Sequence, residues 1–114
     1  MELQKYTINI SKDAIVDIKG IVTYIKDTLK EPIIAIKYSK LIKEKIYSLE
    51  YSPERYGIID DEHIKIKDYR KLVIKKHIAI YRVDTQKNIV HIARIIYGGM
   101  DWQNMLKKFT TKKE

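Results

Sequence analysis

The segment from Tyr69 to Trp102, YRKLVIKKHIAIYRVDTQKNIVHIARIIYGGMDW, constrains the fold of this chain more than any other. It holds three runs rich in β-branched and aromatic residues, separated by connections of hairpin length. Tyr69 to Lys75 alternates, placing Arg70, Leu72 and Ile74 on one face and Lys71, Val73 and Lys75 on the other. His77 to Asp84 sets Ile78, Ile80 and Arg82 opposite Ala79, Tyr81 and Val83. Ile89 to Tyr97 is apolar on both faces apart from His91 and Arg94, the pattern of a strand buried inside a sheet. Strict alternation there puts Arg94 with Val90, Ile92 and Ile96, and His91 with Ile89, Ala93 and Ile95. The segment therefore predicts a three-stranded antiparallel meander, broken at Gly98-Gly99.

Upstream, Tyr6 to Ile10 alternates and reads as a short strand. Ser11 follows as a helix N-cap, with Asp13 and Asp17 near the positive end of the helix dipole. Ala14, Ile15, Ile18, Ile21, Val22, Ile25 and Leu29 then form a helical stripe. Glu31-Pro32 separates it from a second stripe through Ile34, Tyr38, Leu41, Ile42, Ile46 and Leu49, so the two predict an α-hairpin. Ser52-Pro53 ends the second helix, and an aperiodic connection with a possible short strand at His63 to Lys67 leads into the meander. Asp101-Trp102 opens a short helical segment through Leu106, and Lys107, Lys108, Lys112 and Lys113 make a basic tail over residues 107–114 that is expected to fray.

With 114 residues, the chain is long enough for one domain and short for two, so residues 1–114 are read as a single domain. No apolar run approaches the roughly 20 residues needed to span a bilayer. MELQKYTINISKD breaks on charge before a signal-peptide core develops, so no membrane role is expected and a cytoplasmic location fits. The lack of cysteine excludes disulfides, thiolate chemistry and Cys-based zinc sites. Charge is unevenly placed within a net +8: residues 1–63 carry ten Lys/Arg against eleven Asp/Glu, and residues 64–114 thirteen against four. A basic second half is the footprint of a surface that meets phosphate or an acidic protein.

A strand, an α-hairpin and a three-stranded meander, in that order, resemble the RelE/ParE superfamily of small bacterial toxins from type II toxin–antitoxin pairs. Ala14, Asp17, Ile18, Ile21 and Tyr24 look like that family's first helix. Glu31-Pro32 with Ala35, and Leu49 with Ser52-Pro53-Glu54, look like its second. Tyr69 to Val73, Ile80 to Asp84 and Ala93 to Trp102 are similar to its strand signatures and terminal motif. The resemblance covers roughly residues 6–106. It implies an α+β fold with an N-terminal strand, an α-hairpin, a three-stranded antiparallel β-meander and a short C-terminal helix. It also implies a cognate acidic antitoxin as partner, a role in plasmid stabilisation and growth inhibition, and no cofactor or metal.

Two activities live on this fold. RelE-like members cleave messenger RNA on the ribosome, and ParE-like members poison DNA gyrase. Cleavage needs cations to stabilise the phosphoryl oxygens and a group to assist proton transfer. If the chain is RelE-like, Arg70, Lys71, Arg82 and Tyr97 are the candidate catalytic residues. Against the RNase pattern, Ile78 and Gly99 stand where arginines are usual, and Tyr97 stands in place of a histidine. A phenol with a pKa near ~10 is a weak base at neutral pH. The Met100-Asp101 pair resembles the end of the ParE terminal strand. The expectation is thus a ParE-like toxin that binds DNA gyrase without chemistry of its own. The alternatives are a ribosome-dependent endonuclease with a rearranged basic site, and a non-toxic homologue that binds antitoxin and regulates.

For target or partner binding the candidates are Arg70, Lys71, Lys75, Lys76 and Trp102. Arg70 has a competing structural role, an ion pair with Asp68, Asp84 or Asp101. Arg94 reads as a structural arginine that requires a carboxylate partner. His91 reads as a satisfied core histidine, and His77, at a hairpin, as exposed and incidental. Asp60, Asp61, Glu62 and His63 are contiguous in a loop and are not expected to converge on a metal ion.

Overall fold

The computed structural model of the chain describes residues 4–59 and 68–99. Strand β1 (Thr7–Ile10) leads into helix α1 (Lys12–Thr23), which runs on through a π-helical turn (Tyr24–Thr28). Helix α2 (Pro32–Tyr47) follows, then 3₁₀ turns at Ser48–Glu50 and Pro53–Arg55, and strands β2 (Tyr69–Ile74), β3 (His77–Asp84) and β4 (Ile89–Tyr97). The α+β class, the α-hairpin and the meander are those expected from the sequence. The suggested strand at 63–67, the acidic cluster at 60–63, Met100-Asp101, Trp102, the C-terminal helix and the basic tail lie outside the described residues. Among the described residues no helix is long and apolar enough to cross a membrane.

The four strands form one sheet in the order β1-β4-β3-β2, with β1 parallel to β4 and the meander antiparallel. The place of β1 beside β4 was not readable, because alternation tells which face of a strand is buried and not which neighbour it takes. Ser11 does expected work at the junction and something more. Its hydroxyl oxygen accepts the Ala14 N–H (3.0 Å), capping α1, and its own proton goes to the Ala93 carbonyl (2.7 Å), which fastens the helix start to β4. At the other end, Leu29 N–H reaches the Tyr24 carbonyl and Glu31 N–H the Ile25 carbonyl, both at 3.0 Å, with Lys30 in the left-handed region (φ 56°). Pro32 then opens α2, where its missing N–H costs nothing.

Ala14, Ile42, Ile46 and Leu49 of the helical layer meet Leu72, Ile74, Ala79, Tyr81, Val90, Ile92 and Ile95 of the sheet. On the other sheet face Tyr69, Ile78, Ile80 and Ile96 form a second cluster, with Ile59 and Ala93 against it. Strand β3 is therefore buried on both sides from Ile78 to Tyr81, as is β4 at Ile95 and Ile96.

One expectation about β4 is corrected. The pairing register shifts between Ile80 and Tyr81: Ile80 opposes Arg94 and Tyr81 opposes Ile92, leaving Ala93 as the extra residue of a bulge. Alternation therefore changes phase, so Ile95 joins Val90 and Ile92 in the helix-side core while Ile96 faces the opposite cluster. Arg94, at the bulge, pairs with α1: its Nε and Nη2 donate to the two oxygens of Asp17 at 2.8 and 3.0 Å. Asp17 also accepts the Ile95 N–H at 2.9 Å. Arg94 is the structural arginine expected, but Asp17 serves as its partner rather than as a helix-dipole charge. The hydrogen bonds that Arg94 donates to Asp17 raise its pKa. His91 is also corrected, being half-exposed rather than core, with Nδ1 3.1 Å from the Asn9 amide nitrogen.

Candidate functional site

The helical stripes are only partly used by the sheet. Ile42, Ile46 and Leu49 are fully buried, yet Ile34, expected on the same apolar face, is 51% exposed, as is Leu29 of the α1 stripe. Ile15, Val16 and Tyr24 also stand in the open. The reason is geometric: α1 lies along β4, whereas the π-helical turn packs mainly on the two helices. A groove of about 1050 Å³ opens there, between the π-helical turn, the start of α2 and the Lys75-Lys76 hairpin. Its floor and walls include Ile21, Tyr24, Leu29, Ile34, Tyr38 and Ile95.

At the groove's mouth three rings converge. The Tyr38 hydroxyl donates to the Ile74 carbonyl (3.0 Å) and lies 2.5 Å from His77 Nδ1. With the hydroxyl proton so engaged, Nδ1 carries the imidazole proton and Nε2 keeps its lone pair. The His77 ring packs against Tyr38 on one side and edge-on to Tyr97 on the other, with centroids 5.4 and 5.9 Å away. Burial lowers the His77 pKa and raises that of Tyr38, so both are neutral at neutral pH. The expectation that His77 is incidental is overturned. Its isolated place at a predicted turn gave no hint that α2 would deliver a tyrosine to it.

Tyr97 and Gly99 prove to be linked. A Cβ at position 99 would sit 2.5 Å from Cε2 of the Tyr97 ring, so the ring's pose over His77 requires glycine there or a swing of the ring. The two departures from the RNase pattern at the end of β4 thus belong to one local arrangement.

The four candidate catalytic residues do not gather at one point. Tyr97 opposes His77 at the hairpin end, while Arg82 opposes Tyr69 and His91, five residues further along β3. At about 3.3 Å per residue that is roughly 17 Å. Lys71 and Arg82 project to the face away from the helices and Arg70 to the other, as the register and two-residue period require. Arg70 is occupied: it donates to the carbonyls of Tyr56 and Glu54 and pairs with the Glu54 carboxylate at 3.6 Å, with only 14% of its side chain exposed. Its partner among the described residues is Glu54 rather than Asp68 or Asp84, and Asp101 lies outside them.

Arg70 is one of three groups that hold the 52–56 segment. Tyr81 donates to the Pro53 carbonyl at 2.7 Å from a fully buried position, and burial pushes its pKa up to about 12. Arg55, which sequence reasoning passed over, gathers the carbonyls of Ser48, Tyr51 and Ser52 beyond the C-terminus of α2. Of the partner-binding candidates, Lys75 and Lys76 are exposed at the rim of the groove, Lys71 is exposed on the edge strand, and Trp102 lies outside the described residues.

Comparison with known proteins agrees with this architecture. The family described as ParE toxin of the type II toxin–antitoxin system parDE matches residues 8–102. No curated protein sequence matches the chain. Among solved structures, the chromosomal ParDE system from P. aeruginosa is similar at 20% identity and TM-score 0.68, over 82% of this chain and 97% of that one. The toxin–antitoxin complex RelBE2 from Mycobacterium tuberculosis is similar at 18% identity and TM-score 0.59, over 82% and 98%. A mutant of the E. coli toxin RelE in the free state reaches 14% identity and TM-score 0.58, over 93% and 97%.

Proposed function

This chain belongs to the ParE toxin family of type II toxin–antitoxin systems, and from that premise we propose that it arrests growth by binding DNA gyrase, as a protein ligand rather than an enzyme. A cognate acidic antitoxin neutralises it in the cytoplasm, and the pair serves in plasmid stabilisation. The observation that carries the reading is the groove: a large apolar trough beside Lys75 and Lys76, on a chain whose candidate catalytic groups lie on two faces and at two ends of the sheet. Apolar side chains at helical spacing, rimmed by lysine, suit an amphipathic acidic segment that orders as it binds. The dispersed cations favour binding over phosphoryl chemistry, which needs donors preorganised about one phosphorus.

Induced expression without the antitoxin, with parallel assays of DNA supercoiling, translation and messenger RNA integrity, tests the proposal. Loss of supercoiling with intact transcripts is the expected result. Cut transcripts with normal supercoiling would establish the nuclease reading instead. Soluble, folded protein with no growth defect would leave antitoxin binding as the chain's role.

A further inference from the structure

Three of the chain's four arginines are engaged within the fold. Arg55 holds the end of α2, Arg70 the 54–56 segment and Arg94 the Asp17 carboxylate. Arg82 is half-buried on β3 and makes no hydrogen bond or ion pair with any described residue. The nearest acidic group along the strand feels its charge without bonding to it: the Asp84 carboxylate accepts the Lys87 and Gln86 backbone N–H groups at 3.0 and 3.1 Å, which lower its pKa, and the Arg82 charge is a minor contributor to that shift. A guanidinium lining a hollow, with no hydrogen-bond partner among the described residues, suits an oxyanion.

The register shows what surrounds it. Asn9 pairs with His91, His91 with Arg82 and Arg82 with Tyr69, so one transverse row crosses all four strands on the face away from the helices. The row lines a hollow of about 220 Å³, bounded at the β1 end by Ser11 and Asp13. Within the row the Asn9 amide donates to His91 Nδ1 at 3.1 Å, which places the imidazole proton on Nε2. Burial, and then the neighbouring Arg82 charge, lower the His91 pKa, so this donor is the N–H of a neutral ring at neutral pH.

We infer that this row seats one phosphodiester of a nucleic-acid strand, with Arg82 and His91 Nε2–H donating to its oxygens. The size of the hollow excludes a whole small-molecule ligand, for which about 300 Å³ or more is usual, and fits one group of a polymer. Asp13 on the wall disfavours a dianion such as a terminal phosphate monoester and tolerates the single charge of a diester. A carboxylate from an acidic peptide is satisfied by the guanidinium fork alone, whereas phosphate oxygens span donors on adjacent strands about 5 Å apart. The seat stands at the end of the sheet remote from the groove, and it involves no bond cleavage. It does not depend on the gyrase reading above.

The test uses the full-length chain and fluorescence anisotropy with labelled oligouridylate and oligothymidylate, which separate RNA from DNA as the source of the phosphodiester. Arg82→Gln is expected to weaken binding about tenfold and to flatten the dependence of log affinity on log salt by about one unit. Lys87→Gln removes the same charge from the adjacent turn and is expected to change affinity far less. Equal losses in the two variants would mean diffuse charge and overturn the proposal. Ring-nitrogen NMR of the unmodified chain provides a reading independent of folding in the variants. Oligonucleotide should move the His91 Nε2 signal, with inorganic phosphate a weak competitor. A signal moved by polyglutamate and not by oligonucleotide would assign the seat to a carboxylate, and a signal moved by neither would remove it.

Discussion

The two ends of the helical layer are built from the same pattern and meet different fates. At the sheet-backed end, Ile42, Ile46 and Leu49 are wholly buried against β2, β3 and β4. At the hairpin end, the continuation of those stripes through Tyr24, Leu29 and Ile34 has no strand beneath it and remains half exposed. Period alone cannot distinguish a stripe that meets its own sheet from one that awaits another chain. What decides is which elements meet: Ile42, Ile46 and Leu49 pack on the sheet, whereas the π-helical turn packs mainly on α1 and α2.

Substitution separates the two ends most sharply. Ile46→Ala, in the closed end, is expected to cost about 2–5 kcal/mol of unfolding free energy in a urea titration. Tyr24→Ala, in the open end, should stay within about 0.5 kcal/mol of the parent. The same Tyr24 variant should weaken the antitoxin complex by about 2 kcal/mol, read by calorimetry. If Tyr24→Ala destabilises the free protein as much as Ile46→Ala does, the open end is core and the comparison fails.

The seam between the ends is the Asp17–Arg94 pair, with side chains 13% and 27% exposed. Asp17→Asn leaves the guanidinium without its charge partner and is expected to cost about 3 kcal/mol, the low end for a broken buried pair because neither group is fully dry. A change below about 0.5 kcal/mol would mean that α1 is held on β4 by apolar contacts alone.

Most of the scaffold was legible because each element carries its own local signal. The meander shows in the alternation of Tyr69 to Tyr97, the helices in their stripes, and the start of α1 in Ser11. What was hidden depends on contacts between distant residues. The bulge at Ala93 follows from fitting β4 against β3, and the Arg94–Asp17 pair joins residues 77 apart in sequence. The groove, likewise, depends on which elements meet. Arg70 was noticed for its motif, and yet its Glu54 partner lies sixteen residues back in an aperiodic loop. Arg82 and His91 looked unrelated until the register set them side by side.

A smaller effect probes the open end alone. His77 sits at the groove's mouth with its pKa lowered from 6.5 by burial, whereas the unfolded chain titrates near that ordinary value. Between the two values the unfolded state binds a proton that the folded state refuses. Stability therefore falls as pH drops through about 6.5 and stops falling once the folded-state pKa is passed; above that window His77 contributes nothing to the slope. His77→Gln keeps a hydrogen-bonding group beside Tyr38 and removes the titration, so its urea midpoint should change less than the parent's between about pH 7.5 and about pH 5. His91 is shifted in the same direction, but it lies more open at the other end of the sheet, so His91→Gln should flatten the curve less. An antitoxin seated in the groove, as proposed, would desolvate His77 further. Acid should accordingly weaken the complex of the parent more than that of His77→Gln, and equal acid sensitivity in the two complexes would place the antitoxin elsewhere on the toxin.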